Sequence, residues 1–394
     1  MKVQRLELFH VEVPVQETFH PAWLPAYPQT ENRFTLLKIE AEDGRYGVGA
    51  GPAFNRERAG LGELLGPYLV GLEVDDLATV RQRIREASYL GWHNAWIEMA
   101  FLDLLGKVEG KPVCELLGGR RRDLPIYAST GRLTTKANAA DQVRLAAKLG
   151  TDLVKVRAHA KTVEADETML HAAAAASEDL GVRLAVDANQ GWFVDATGPA
   201  ERWTLPRAKR FARACGEHDV AWLEEPLDMH DLEGMASLRE ASPVPIAGAE
   251  LLGDWHAIRP LFEHGCLDLY QPDATFSGAQ DALRTAERAK EEGLDFVPHA
   301  WTSGWGLLFN AHVLAASGFE GPLEWPYDPP SWTPPVRDGT LVQDLHPVNG
   351  RFELPDGPGL GIEVDEDAVR EAHVEPLAWE KPTWEHPDGG FAEW

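Results

Sequence analysis

Eight short apolar runs, evenly spaced and separated by amphipathic stretches, constrain this chain more than any other feature. They are "PIYAST" (125–130), "DLVKVRAH" (152–159), "RLAVDAN" (183–189), "AWLEEP" (221–226), "VPIAGAE" (244–250), "LDLYQPD" (267–273), "DFVPHAW" (295–301) and "PLEWP" (322–326). Successive starts lie about 20 to 40 residues apart, enough for one strand, one helix and two loops. The intervening segments include "NAADQVRLAAKLG" (138–150) and "AQDALRTAERAKEEG" (279–293), apolar along one helical face. Strands that alternate with helices eight times over predict an α/β fold, a parallel sheet closed into a (β/α)8-type TIM barrel.

The flanks follow other rules. Residues 1–50 alternate like a β-meander, with "EDG" (42–44) as a turn signal. Residues 60–118 read as helical and stop at the glycine pair of "LLGG". The N-terminal third therefore reads as an α+β domain preceding the barrel, and the turn-rich tail after 335 is expected to pack back on it or to wrap the barrel rim. The expected division is residues 1–124, 125–335 and 336–394.

A chain of 394 residues with a formal net charge of −26 is a poor partner for nucleic acid or an anionic membrane. Three cysteines (Cys114, Cys215, Cys266), none in a C-x-x-C pair, point to a reducing compartment without a disulfide framework. The first residues lack a signal peptide's apolar core, and no apolar run approaches a membrane span. A cytoplasmic protein is expected.

In a parallel barrel the active site forms where strands end and βα loops begin. Run two ends in Lys155, Arg157 and His159, and the later runs supply Asp187, Glu224 with Glu225, Glu250, Asp273, His299 and Glu324. Any one of these can simply cap the next helix. Three carboxylates from three successive strands (Asp187, one of the Glu224–Glu225 pair, and Glu250) would repel one another in a low-dielectric site unless a cation lay between them. Hard oxygen ligands without cysteine or clustered histidine suit Mg²⁺. Side chains alternate along a strand, so Glu224 and Glu225 should point to opposite sides, and periodicity alone does not choose the ligand.

At these residues the chain resembles the enolase superfamily, specifically its mandelate racemase subgroup. The matching pieces are "NAWIEMAFLDLLGKVEGKPVCELLGG" (94–119), "VDANQGW" (186–192), "WLEEPL" (222–227), "GAE" (248–250), "QPDATFSGA" (271–279), "PHAWTSG" (298–304) and "LEW" (323–325). The resemblance implies a (β/α)7β barrel with an N-terminal α+β capping domain that receives the C-terminal tail, and a homo-oligomer. It implies one Mg²⁺ per subunit on Asp187, Glu224 and Glu250, which selects Glu224 over Glu225. It further implies His299 as general base oriented by Asp273, and Glu324 as a hydrogen-bonding acid. The substrate is then a small carboxylate whose α-proton is removed, and the metal with its flanking cations stabilises the resulting enolate.

The chain departs from the pattern at strand two, where many relatives carry Lys-x-Lys and this sequence has Lys155-Val156-Arg157. Arginine stays protonated and is a poor base. Chemistry on one face of the α-carbon is therefore favoured, with Lys155 and Arg157 neutralising carboxylates and holding the substrate carboxylate. The expected activity is dehydration of an aldonic or aldaric acid to a 2-keto-3-deoxy acid. The alternatives are a racemase or epimerase on the same scaffold, a glycoside hydrolase, which usually has a carboxylate where His299 stands, and a silent paralogue that keeps the metal site. His20, Trp23 and Tyr27 in the expected capping loop (19–33), with Trp301 beside the base, are the candidate substrate contacts.

Overall fold

A computed structural model describes residues 1–24, 28–52, 65–66, 68–90, 94–192, 202–373 and 377–379. Strands β1 (Val3–Phe19), β2 (Gln29–Ala41) and β3 (Tyr46–Pro52) form an antiparallel sheet. The β2–β3 turn falls on the expected signal, with Gly44 at φ 84° in the left-handed region that its lack of a Cβ makes accessible. Alternation places Leu6, Leu8, Leu37 and Ile39 on one face, packed with Ile97, Phe101 and Leu104. Phe9, Val11, Phe34 and Leu36 occupy the other face and join the barrel's core. The sheet is thus apolar on both sides because it lies between a helical layer and the barrel. Its contact with the helix Ile97–Glu109 is close enough that a Cβ on Gly47 would meet Ala100 O at 2.1 Å.

The eight apolar runs become eight parallel strands: β4 (Asp123–Ser129), β5 (Leu153–Arg157), β6 (Arg183–Asp187), β7 (Leu223–Glu224), β8 (Ile246–Gly248), β9 (Leu269–Tyr270), β10 (Asp295–Phe296) and β11 (Leu323–Pro326). Hydrogen-bonded neighbours follow the order β10-β9-β8-β7-β6-β5-β4-β11. The principal helices between them are Ala139–Ala147, Val163–Leu180, Leu205–Glu217, Leu232–Ala241, Trp255–Glu263, Ala279–Glu292 and Gly304–Ser317. That is one fewer than the strands, the (β/α)7β arrangement. Among the described residues no backbone ladder joins β10 to β11. The seam is closed instead by Ala300 N, which donates to Glu324 Oε2 at 2.7 Å. Strands β7, β9 and β10 are short because Pro226, Pro272 and Pro298, which lack an N–H, follow closely.

The tail makes two returns. β12 (Arg351–Glu353) pairs antiparallel with β4, and β13 (Leu377–Trp379) pairs antiparallel with β1. Contacts between the N-terminal elements and the barrel are polar as well as apolar. Glu98 Oε2 accepts from Ala279 N at the start of a barrel helix (3.0 Å), and Asp103 accepts from both Val48 N (2.9 Å) and Leu360 N (2.8 Å). Cys114, Cys215 and Cys266 are buried free thiols. No described helix is long and apolar enough to cross a membrane.

His312 makes this junction pH-sensitive. Its Nδ1 accepts from Cys114 N (3.2 Å), Nε2 faces Leu360 O (3.3 Å), and burial pulls its pKa from 6.5 to about 4. The folded state binds this proton less readily than the unfolded state. The contribution of this group to stability is therefore complete above about pH 6.5 and falls as pH drops toward about 4, by about 3 kcal/mol in all. Urea unfolding across that window should show a slope in the wild type that His312→Gln reduces. Equal slopes in the two proteins would refute the assignment.

Candidate active site

Lys155, Arg157, Asp187, Glu224, Glu250, Asp273, His299 and Glu324 converge at one mouth of the barrel, whereas His159 feels Arg207 instead. Lys155 and Arg157, two residues apart on β5, point the same way, and Asp187 ends the adjacent β6 in register with Arg157. Asp187, Glu224 and Glu250 are buried, and each offers an oxygen within 4.8 Å of the others. No cysteine or histidine belongs to this trio, so its donor set suits a hard divalent cation. Burial and then the repulsion of Glu224 push the Asp187 pKa up to about 8. Without a cation the cluster is electrostatically strained, which is the signature expected of a metal site.

The two permanent cations do not neutralise it. Lys155 Nζ donates to Glu224 Oε1 (2.7 Å), contacts Glu324 Oε1 (2.9 Å) and lies 3.9 Å from Asp187 Oδ2. Burial opposes its charge, but Glu224 and Glu324 outweigh that and raise its pKa. Arg157 donates through Nη1 to Asp187 Oδ2, through Nε to Thr130 O (2.6 Å) and through Nη2 to Ser129 Oγ (3.2 Å). Asp187 also accepts from Asn189 N (2.7 Å) and Asn189 Nδ2 (3.0 Å), while Glu224 Oε2 accepts from Trp222 Nε1 (3.0 Å) and Gln271 Nε2 (2.9 Å). Trp192 Nε1 donates to Glu250 Oε1 at 3.2 Å.

Across the mouth, His299 Nδ1 lies 2.9 Å from Asp273 Oδ2, and Nε2 is 3.4 Å from Glu250 Oε2 and 3.9 Å from Glu324 Oε2. The other Asp273 oxygen accepts from Thr275 N (2.7 Å), Thr275 Oγ1 (2.8 Å) and Asn310 Nδ2 (2.8 Å). Asp273 can accept from His299 only if Nδ1 carries the proton, which leaves Nε2 facing the site. Burial alone would lower the His299 pKa, but Glu250, Glu324 and Asp273 together raise it to about 10. Glu324 moves the other way: burial opposes ionisation, yet Lys155 and His299 hold its carboxyl well below the usual range. In this state Glu324 accepts from Ala300 N and is ion-paired with Lys155, whereas the donor role implied by the resemblance requires a proton that these contacts disfavour.

Glu225 departs from the alternation rule. Its φ of 44° is left-handed, so the strand ends at Glu224 and the next carboxyl turns inward as well. It is buried against Gly191, where a Cβ would meet its carboxyl carbon at 2.3 Å, and its Oε2 has no hydrogen-bond partner among the described residues. Burial, then Glu250 and Asp187, push its pKa well above the usual carboxylate range.

Of the expected substrate contacts, Trp23 and Trp301 meet over Arg157, with ring centroids 5.3 Å apart. His20 is exposed, and Tyr27 lies outside the described residues. Trp305, fully buried, donates to Thr340 Oγ1 (3.0 Å) and belongs to the packing. Sequence reasoning missed Asp328, whose Oδ2 accepts from Gly131 N (3.0 Å) and Arg132 N (2.7 Å) and so ties the β11 and β4 loops together.

Residues 138–368 match the family model described as enolase C-terminal domain-like, and residues 6–118 match that of the mandelate racemase / muconate lactonizing enzyme N-terminal domain. The chain belongs to the enolase superfamily, in its mandelate racemase/muconate lactonizing branch. This superfamily member is 29% identical over 359 residues to the D-galactarolactone cycloisomerase of Agrobacterium fabrum, covering 85% of this chain and 90% of that one. It is also 29% identical over 381 residues to the D-galactonate dehydratase of Variovorax paradoxus, covering 92% and 97%. Its fold superposes on L-talarate/galactarate dehydratase from Salmonella typhimurium LT2, solved with Mg and L-lyxarohydroxamate. The TM-score is 0.82 at 24% identity, over 96% of this chain and 95% of the other.

Proposed function

We propose that the protein dehydrates an aldonic or aldaric acid to a 2-keto-3-deoxy acid, with Asp187, Glu224 and Glu250 as the ligands of one Mg²⁺. The observation that carries this reading is the asymmetry of the site. On one side His299 turns its titratable Nε2 into the site, with Nδ1 held on Asp273. On the other, every donor-bearing nitrogen of Arg157 is already bonded and Lys155 is held between carboxylates. A racemase needs an acid/base group on each face of the α-carbon, and among the described residues only one face has one. The dehydratases and the cycloisomerase among its relatives support acid-sugar chemistry.

When bound, Mg²⁺ would supply positive charge against which negative charge can build on the substrate carboxylate. His299 Nε2 takes the α-proton, and Asp273 holds the tautomer and stabilises the imidazolium. The same imidazolium then returns its proton to the departing β-hydroxyl, which leaves as water, and the enol product tautomerises to the 2-keto acid. Lys155 and Arg157 keep the acidic cluster oriented and contribute fixed positive charge beside the reacting carboxylate.

A library of aldonic and aldaric acids, incubated with the Mg²⁺-loaded protein and assayed for 2-keto-3-deoxy products, tests the reading. One acid, or a few stereochemically related ones, should react. Silence across the library would remove it.

Cation binding should also release protons. Asp187, with a pKa near 8, holds a proton at neutral pH in the cation-free protein. A cation favours the deprotonated ligand, so binding expels this proton and affinity rises as pH approaches about 8. Calorimetry of Mg²⁺ binding in two buffers of different ionisation enthalpy should report about one proton released at neutral pH. Heats independent of buffer would contradict this.

A further inference from the structure

The resemblance leads one to expect a second lysine where Arg157 stands, and the surroundings of Arg157 are built for a guanidinium. Its three nitrogen groups are engaged by Thr130 O, Ser129 Oγ and Asp187 Oδ2. Its Cζ lies 5.2 Å from the Trp23 ring centroid and 5.3 Å from that of Trp301, and the two indoles are inclined at 72°. A guanidinium is planar and weakly hydrated, and it can hydrogen-bond in its plane while aromatic rings pack against it. An ammonium has no plane to pack.

The two rings come from different parts of the chain. Trp301 follows the base on the barrel, whereas Trp23 belongs to the segment after β1. That segment is docked: Pro21 bridges to Arg132, Ala22 N donates to Gly131 O (2.9 Å), and Phe19 stacks on Trp301 at 6.2 Å. A side chain at residue 131 would prevent the fit, because a Cβ there would lie 2.5 Å from Trp301 Cζ2 and 2.6 Å from Phe19 Cζ.

We propose that Trp23 is a positioning residue: together with Trp301 it grips the Arg157 guanidinium and so holds it on Asp187, and the N-terminal segment thereby completes the acidic site as well as covering it. Without Trp23 the guanidinium can tilt and water reaches the Arg157–Asp187 pair, which weakens the pair by raising the local dielectric. This role differs from that of a wall for the substrate, which would act on substrate binding alone.

The test uses full-length Trp23→Leu and Trp23→Phe beside the wild type, with thermal melts to check folding. Arginine-selective labelling with phenylglyoxal, read peptide by peptide in the mass spectrometer, requires neither metal nor substrate. Arg157, 2% exposed, should label far more slowly than the exposed Arg144 in the wild type. It should become several-fold more reactive in W23L, with W23F between the two. The kinetic arm rests on the proposed dehydration: W23L should lower kcat by about tenfold or more with a smaller change in KM, and W23F should recover most of that loss. Wild-type labelling of Arg157 in W23L, or a rise in KM at intact kcat, would overturn the proposal. If the wild type turned over no acid, the functional reading would fall while the labelling result still decided the clamp. If W23L did not fold, labelling of W23F would decide it, and wild-type reactivity there would overturn the proposal.

Discussion

Replacing His299 by asparagine should lower kcat by about three orders of magnitude or more, with little change in KM. A positioned general base contributes about 10² to 10⁴ in rate. In the proposed reaction the same nitrogen serves twice, first removing the α-proton and then protonating the leaving hydroxyl. Neither Lys155 nor Arg157 can substitute, since both are committed to carboxylates. Asp273→Asn should cost nearly as much by a different route. With Asn310 and Thr275 still donating to one side of residue 273, the new amide NH₂ would face His299 Nδ1. The imidazole would then carry its proton on Nε2, the nitrogen that must accept. Steady-state kinetics of the two variants checks both statements, and an H299N enzyme retaining a tenth of wild-type kcat would refute the assignment of the base.

Replacing Lys155 by methionine should be the most damaging change to the fold. The ammonium is fully buried and sits between Glu224 and Glu324, with Asp187 3.9 Å away. Methionine keeps most of the stem's volume and removes the charge, so the loss is electrostatic rather than a cavity. Removing one partner of a buried ion pair costs about 3–5 kcal/mol, because the remaining charge stays desolvated and unpaired. The carboxylates would respond by taking up protons, so the deficit should be largest at high pH and should shrink as pH falls. Added Mg²⁺ should recover part of it by supplying charge to Glu224 and Asp187. Denaturant unfolding of Lys155→Met, with and without Mg²⁺ at two pH values, measures all three effects. A variant as stable as the wild type without the cation would mean that Lys155 is not what holds Glu224 and Glu324 together.

Much of this architecture is legible in the sequence, for identifiable reasons. Each apolar run coincides with its strand, β4 alone beginning two residues before its run, because a barrel strand is buried on both faces and must be largely apolar along its length. The charged residues at the run ends stand out because such a strand has no other reason to carry them. The Glu224–Glu225 question is legible only in part: alternation holds while the backbone is extended, and φ at Glu225 is 44°. No local pattern announces that turn, although Pro226 hints that the strand stops there. Gln271 could have been found by the same spacing argument, since it lies two residues before Asp273 and points the same way. Asn310, on a helix far along the chain, reaches Asp273 only through tertiary packing, as Asp328 reaches the loop after β4. The Trp23–Arg157 contact is of the same kind, because two segments distant in sequence meet there, and neither carries a local signal for the other.

The most direct test of one-face dehydration is to run the reaction in D₂O with the acid identified by the library, following both product and recovered substrate by NMR and mass spectrometry. The expected result is a 2-keto-3-deoxy acid, with recovered substrate that has kept its α-configuration. Formation of the α-epimer carrying deuterium would place a second acid/base group on the opposite face and would make the enzyme a racemase or epimerase.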